Sequence, residues 1–418
     1  MFNTIRNAWK IPDLRKKMIF TLLMLVVYRL GSFIPVPCMN RDALAQLIES
    51  GGLLGFFDVI SGGAFKNFAI FAMNITPYIN SSIIMQLLTI AIPSLEALAK
   101  EGEEGRKKIA QYTRYGTVIL ALIQAIALSI GLKRYLIKTD FISVALVALS
   151  LTAGTAFLMW LGELITEKGV GNGISLIIFA GIVSRVPIGI NHLFQLYKAK
   201  TVSIIELIGF VIIAILIIMG VVLIQEGQRR IPVQYAKRVV GRKMYGGQSS
   251  HIPLKVNQAG VIPVIFAMSI LEFPKQIVGF FPGSGAYNFF NKYFAWDSWI
   301  HGVIYALLII GFTYFYTAVT FNPIEVANNI KKYGGFIPGI RPGKPTADFI
   351  QKSLSRITLV GAIFLAFIAI LPMFLMKFTN IKISFGSTSL LIIVSVAMET
   401  VQQIEAQMIM RNYQGFLK

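Results

Sequence analysis

The sequence is poor in charged residues and has almost no cysteine. Only 14% of its 418 residues are charged, while 55% are hydrophobic. Soluble domains have about a quarter charged residues, so this chain has too little polar surface to close a soluble domain. We expect a polytopic membrane protein. The single cysteine, Cys38, excludes a disulfide within the chain.

Groups that catalyse reactions or bind metals are also scarce. The three histidines, His192, His251 and His301, are scattered along the sequence, which does not fit a metal site. Neither the His-Glu-x-x-His pattern nor a nucleophile elbow is present. Residues 339–346 resemble a phosphate loop only superficially, because Pro345 interrupts the required turn. We therefore predict no enzymatic activity, no metal and no cofactor.

Apolar runs of membrane-spanning length occupy most of the sequence. A transmembrane helix needs about 20 mostly apolar residues, and ten runs meet or approach this length. The predicted fold is thus an all-α polytopic membrane protein with ten transmembrane helices. The predicted spans are residues 18–34, 68–92, 116–132, 142–161, 174–186, 204–224, 256–271, 299–321, 357–376 and 389–410.

Basic residues are concentrated in the loops between these runs. The formal net charge of +20 could indicate nucleic-acid binding, but that requires one continuous basic face on a folded domain. Lys and Arg number 25 on the side of the termini and 12 on the opposite side. The positive-inside rule therefore places both termini in the cytoplasm.

The predicted organisation follows from the spans. Its parts are a cytoplasmic amphipathic helix at 1–17, an N-terminal half at 18–186, an outer hinge loop at 187–203, a C-terminal half at 204–410 with cytoplasmic loops at 226–255 and 322–352, and a cytoplasmic tail at 411–418.

Two features favour a central pathway between the halves. Pro77 and Pro263 interrupt the second and seventh spans, which correspond when the spans are divided into two sets of five. Such matched interruptions mark the pathway in transporter-like folds; ordinary proline kinks are the alternative.

The apolar segment 51–65 is too short to cross a bilayer. It either re-enters a cavity from the outer side or lies on the outer leaflet as an interfacial helix.

Few charges lie inside the predicted spans. Arg29 and Glu399 lie within the first and tenth spans, while Glu163 and Glu206 lie near span ends, where they could reach the interface. No series of acidic residues and histidines crosses the membrane. This counts against the alternative hypothesis, an ion-coupled secondary transporter of small solutes.

The two long loops contain fixed turns and exposed basic residues. Residues 230–238 alternate apolar and polar side chains and precede a turn at Gly241, a pattern that predicts a protruding basic hairpin. Glycines and prolines in 334–345 fix turns that present Arg341 at a tip. These charges either form a docking site for an anionic partner or only set the membrane topology.

Several stretches of the sequence, in the same order, closely resemble the SecY family of protein-conducting channels. They are residues 29–35, 61–64, 77–79, 111–116, 159–163, 171–175, 227–238 and 334–343. The resemblance implies two pseudo-symmetric five-helix halves around a central pore. An isoleucine ring and an outer plug would close this pore, and a gate formed chiefly by the second, third, seventh and eighth spans would open it to lipid.

Carried over residue by residue, the resemblance implies specific sites. The ring would be Ile75, Ile79, Ile178, Ile265 and Ile392. The plug, at about 53–62, would include Leu53, Leu54, Phe56, Phe57, Val59, Ile60 and Gly62. Partners would bind at Arg229, Arg230, Lys237, Arg238 and Arg341. Asn74 departs from the glycine expected before the first ring isoleucine.

The function that the resemblance implies is a passive channel in the bacterial cytoplasmic membrane. It would translocate unfolded secretory polypeptides with signal sequences and release hydrophobic segments of membrane proteins sideways into lipid. The implied partners are the SecA ATPase or a ribosome, with SecE and SecG alongside. Contact with nucleic acid would be limited to ribosomal RNA.

Overall fold

The computed structural model describes residues 2–40, 61–199, 201–235, 238–240, 243–245, 249–279, 285–294, 298–378 and 387–415. Most of them are helical. The helices are α1 (Phe2–Lys10), α2 (Pro12–Gly31), α3 (Thr76–Ala91), α4 (Pro93–Lys100), α5 (Glu103–Gly131), α6 (Phe141–Lys168), α7 (Gly173–Val183), α8 (Val186–Lys198), α9 (Ile204–Glu226), α10 (Ile262–Gly279), α11 (Gly285–Tyr293), α12 (Trp299–Thr320), α13 (Pro323–Lys332), α14 (Lys344–Phe378) and α15 (Ser387–Gly415). The strands are β1 (Gln228–Tyr235), β2 (Arg238–Val240), β3 (Lys243–Tyr245), β4 (Ser249–Lys255) and β5 (Gly335–Phe336).

Within the described residues, seven helical stretches are long and apolar enough to cross a membrane. They involve α5, α6, α7 with α8, α9, α12 with α13, α14 and α15. An eighth candidate is α3 with α4, a pair bent by 100°. With α2, whose first turns are charged, and α10, whose apolar part is short, these make the ten transmembrane helices of the predicted fold.

The two prolines that were predicted to interrupt helices instead begin them. Pro77 lies in the first turn of α3, and Pro263 follows the first residue of α10. A proline fits there because the first helical N–H groups have no partner within the helix. Residues 68–75, predicted to be helical, form turns and an isolated β-bridge from Ala69 to Pro35. The chain therefore enters both spans through non-helical backbone.

Three segments of the predicted organisation contain helices that the sequence did not indicate. The helix predicted at 1–17 ends at Lys10, because Pro12 starts α2. The predicted outer hinge loop at 187–203 is largely the helix α8, which has Pro187 in its first turn. The predicted loop at 322–352 contains α13, whose first N–H groups are capped by the Asn322 side chain.

The two long loops fold together into one unit. Strand β1 pairs antiparallel with β4, from Gln228 opposite Lys255 to Gln234 opposite Ser249. Its other edge pairs with β5, which belongs to the second loop. We call β1, β4, β5 and α13 the loop platform. Part of the predicted hairpin is present as β2 paired with β3. The alternating residues 230–235 instead belong to β1, which pairs with β4.

A shared hydrophobic core holds the platform together. Side chains from both loops and from α14 are at most 8% exposed. They are Ile231, Val233, Leu254, Ile330, Ile337, Ile350 and Leu354. Because alternate residues of β1 face this core, its polar residues face outward.

Candidate pore ring and docking platform

The five isoleucines predicted for the ring share one hydrophobic cluster. Ile75, Ile178 and Ile392 are 1%, 4% and 4% exposed, respectively. Ile79 and Ile265 are partly buried and pack against the same cluster. The structure thus brings apolar side chains from α3, the turn before it, α7, α10 and α15 into one hydrophobic cluster.

Asn74 has a backbone conformation that explains its identity. Its φ angle is 51° and its side chain is 3% exposed. This left-handed region favours glycine, and asparagine is among the few other residues that visit it. Asn74 can therefore replace the expected glycine while keeping the turn that leads into Ile75 and α3.

The end of the predicted plug is held by hydrogen bonds from two helices. The Tyr28 hydroxyl of α2 donates to the Ser61 carbonyl over 3.3 Å, and Arg29 Nη1 donates to the Gly62 carbonyl. Ser184, just after α7, also donates to the Gly62 carbonyl, over 3.4 Å. The other predicted plug residues, Leu53, Leu54, Phe56, Phe57, Val59 and Ile60, lie outside the described residues.

Gly62 could not easily be another residue. Its φ angle is +65°, and an added Cβ would lie 2.9 Å from the Cα atom and the carbonyl oxygen of Gly181. The close approach to α7 therefore requires glycine.

The platform exposes part of the predicted docking surface. Arg229 and Arg230 on β1 are exposed, on a strand whose Ile231 and Val233 are buried. Arg238 begins β2, and Lys237 lies outside the described residues.

Arg341 is presented by a turn fixed at both sides. Gly339 and Gly343 have φ angles of +81° and +106°, and the Thr346 hydroxyl donates to the Arg341 carbonyl over 2.8 Å. Ile337 is buried in the platform core. The exposed Arg341 side chain therefore projects from a firmly anchored loop.

Two of the other charges noted in the sequence have a structural partner or form a cap. Arg114 Nε of α5 donates to Glu163 Oε1 of α6 over 2.9 Å. Glu206 forms a capping box with Ser203 at the start of α9. Glu399 lies in α15, half-buried.

One buried polar contact was missed in the sequence. Glu272 of α10 and His301 of α12 are 5% and 1% exposed, and Glu272 Oε1 lies 3.8 Å from His301 Nε2. The predicted seventh span ended at residue 271, so Glu272 was assigned to the outer loop. The sequence signal for this contact was the acidic Glu272 directly after the apolar residues 270–271 and before Phe273. In the described part of the chain, no group of three or more His, Cys, Asp or Glu could hold a metal ion.

Comparisons with known proteins decide between the hypotheses. The SecY family profile matches residues 69–401. The protein translocase subunit SecY of Halalkalibacterium halodurans is 52% identical, with all of both chains covered. The chain belongs to the SecY family.

Solved structures show the same fold. A SecY structure described for its plug domain matches with a TM-score of 0.69 and 20% identity over 96% of each chain. Sec61 from a canine ribosome-channel complex matches with a TM-score of 0.62 and 17% identity over 96% of each chain. The ten-helix architecture is that of these channels.

SecY proteins are channels, and the family is not a known enzyme family. The chain is therefore a protein-conducting channel that crosses the bacterial inner membrane several times. These comparisons give no support to the small-solute transporter.

Proposed function

We propose that Ile75, Ile79, Ile178, Ile265 and Ile392 form the constriction through which unfolded polypeptides pass. The observation that carries this proposal is that all five, contributed by four parts of the fold, lie in or against one hydrophobic cluster. Branched apolar side chains contact a passing chain without binding any residue type strongly. A narrow apolar constriction also resists ions by dewetting.

The loop platform would be the docking site for the partner that drives transport. Its exposed Arg229, Arg230 and Arg341 stand on a folded base, so the backbone that carries them needs no ordering when a partner binds. We assign this partner as the SecA ATPase or a ribosome, whose RNA phosphates attract basic side chains. The canine Sec61 structure is of a ribosome-channel complex. SecE and SecG would lie alongside the helices.

The platform and both termini would face the cytoplasm. The excess of Lys and Arg on the side of the termini supports this orientation. The segment at about 53–62 would then lie on the outer side as the plug, with Gly62 as its fixed end.

The lateral gate would involve α3, α5, α10 and α12. The Ser81 hydroxyl of α3 donates to the Thr113 carbonyl of α5 over 2.8 Å. A Cβ added at Gly116 would lie 2.5 Å from that hydroxyl oxygen. This close packing supports movement of α3 and α5 as one body when hydrophobic segments leave for lipid.

The experiment compares Arg341→Glu with Lys332→Glu in reconstituted vesicles supplied with SecA and a secretory precursor. Both residues are exposed in the same loop, so the two variants change the net charge equally. We expect Arg341→Glu to abolish translocation while its thermal unfolding stays as in the parent, and Lys332→Glu to retain translocation. Normal translocation by Arg341→Glu would refute the docking role of Arg341.

A further inference from the structure

The platform is joined to the membrane helices at a compact junction. The Val256 N–H, just after β4, donates to the Gly227 carbonyl, just after α9, over 2.8 Å. A Cβ added at Gly361 of α14 would lie 2.4 Å from the Val256 carbonyl oxygen. The base of the platform is therefore packed directly against α9 and α14.

One side chain at this junction accepts hydrogen bonds from two separate elements. Gln225 Oε1, at the end of α9, accepts from Asn257 Nδ2 over 3.4 Å and from Ser395 Oγ over 3.2 Å. Asn257 and Ser395 are 4% and 0% exposed. A buried polar group that loses its partner is costly, so these three side chains favour one fixed arrangement.

Both donors lie close to predicted ring residues. Asn257 Nδ2 also donates to the Gly260 carbonyl over 3.0 Å, immediately before α10, which carries Ile265. Ser395 lies three residues after Ile392 on α15, and residues at that spacing share a helix face. The Gln225 side chain thus connects the base of the platform with the two helices that supply Ile265 and Ile392.

We infer that Gln225 is a positioning residue that couples docking on the platform to the placement of α10 and α15 at the ring. The inference depends on the proposed docking function. A partner that shifts β1 and β4 also shifts the junction at Gly227 and Val256. Through Gln225, the same shift is passed to Asn257 and Ser395.

A second contact provides a matched control. Lys255 Nζ of β4 donates to Gln402 Oε1 of α15 over 3.1 Å, on the exposed side of the same junction. It joins β4 to the same helix, α15, but does not involve Gln225. Exposed contacts of this kind contribute little.

The test uses the full chain with its small subunits in vesicles. Three quantities are measured for Gln225→Leu, Ser395→Ala and Gln402→Leu: SecA affinity, resting ion conductance, and SecA-driven translocation at saturating SecA. We expect Gln225→Leu and Ser395→Ala to keep the SecA affinity within about twofold and to reduce translocation about threefold to tenfold. Gln402→Leu should match the parent in all three.

The double variant Gln225→Leu/Ser395→Ala should be no worse than Gln225→Leu alone, because both changes remove the same hydrogen bond. Ser395→Ala removes only a hydroxyl and carries the test if Gln225→Leu does not fold. Parent-level translocation by Ser395→Ala, a fall in affinity in step with translocation, or multiplying effects in the double variant would each overturn the inference. If the parent itself does not respond to SecA, the proposed docking function fails instead.

Discussion

Arg29 of α2 donates a hydrogen bond to the main-chain carbonyl of Gly62, 33 residues along the chain. Arg29 lies in the last turn of α2. A hydrogen bond from a charged group contributes about 1.5–3 kcal/mol. The contact therefore stabilises the point where the chain leaves the proposed plug.

Replacing Arg29 should weaken the attachment of the chain at Gly62 to α2. We expect Arg29→Gln to raise resting ion conductance in planar bilayers, and Arg29→Lys, which keeps the charge and a donor, to raise it less. Arg6→Gln is the control, since Arg6 is exposed on α1. Equal conductance for Arg29→Gln and the parent would show that the contact does not hold the outer side of the pore closed.

The loss of stability from crowding at Gly62 can be measured separately from the loss caused by its positive φ angle, because Gly260 has the same φ without the crowding. Gly62 and Gly260 both have a φ of +65°, but a Cβ at Gly260 would have no atom within 4 Å. Both alanine variants should lose about 1–2 kcal/mol because of the left-handed backbone. Gly62→Ala should lose about 1–3 kcal/mol more from overpacking against Gly181. Thermal unfolding in detergent measures the difference, and equal losses would contradict the close approach of Gly62 to α7.

The sequence predicted the membrane-spanning helices better than the details around them. Apolar runs report directly on burial in lipid, so their number and order were predictable. Asn74 was unexplained in the sequence because a positive φ leaves no periodic signal. Only the backbone shows that the position requires a left-handed residue.

The platform could not be predicted because it depends on pairing between distant segments. Gln234 of β1 pairs with Phe336 of β5, and the two strands are short and lie in different loops. Local patterns predicted the β2–β3 hairpin, whose strands are adjacent in sequence. The same reasoning treated the two loops as independent and therefore missed their common core.

Cys38 provides a test of backbone strain outside the pore. It has a φ of 64° and is a free thiol. Glycine avoids the left-handed penalty of about 1–2 kcal/mol that alanine bears. We therefore expect Cys38→Gly to be about 1 kcal/mol more stable than Cys38→Ala in thermal unfolding. A more stable alanine variant would show that side-chain packing at this position outweighs the strain.

The ring assignment makes the strongest prediction about mechanism. Ile79 lies one turn into α3, since its N–H bonds to the Ile75 carbonyl, and Ile265 lies one turn after Val261. Each is thus about one helical turn beyond the point where its span becomes helical. Cysteines at the two positions, in a Cys38→Gly background, should each crosslink to a secretory chain arrested midway.

Replacement of Ile79 or Ile265 by Asp should raise ion leakage, because a charged side chain wets a dry constriction. The matched control is Ile84, on the same helix as Ile79 but 44% exposed. A cysteine at Ile84 should react with lipid-phase probes and not with the arrested chain. If cysteines at Ile79 and Ile265 behave like the one at Ile84, these side chains face lipid, and polypeptides must pass elsewhere.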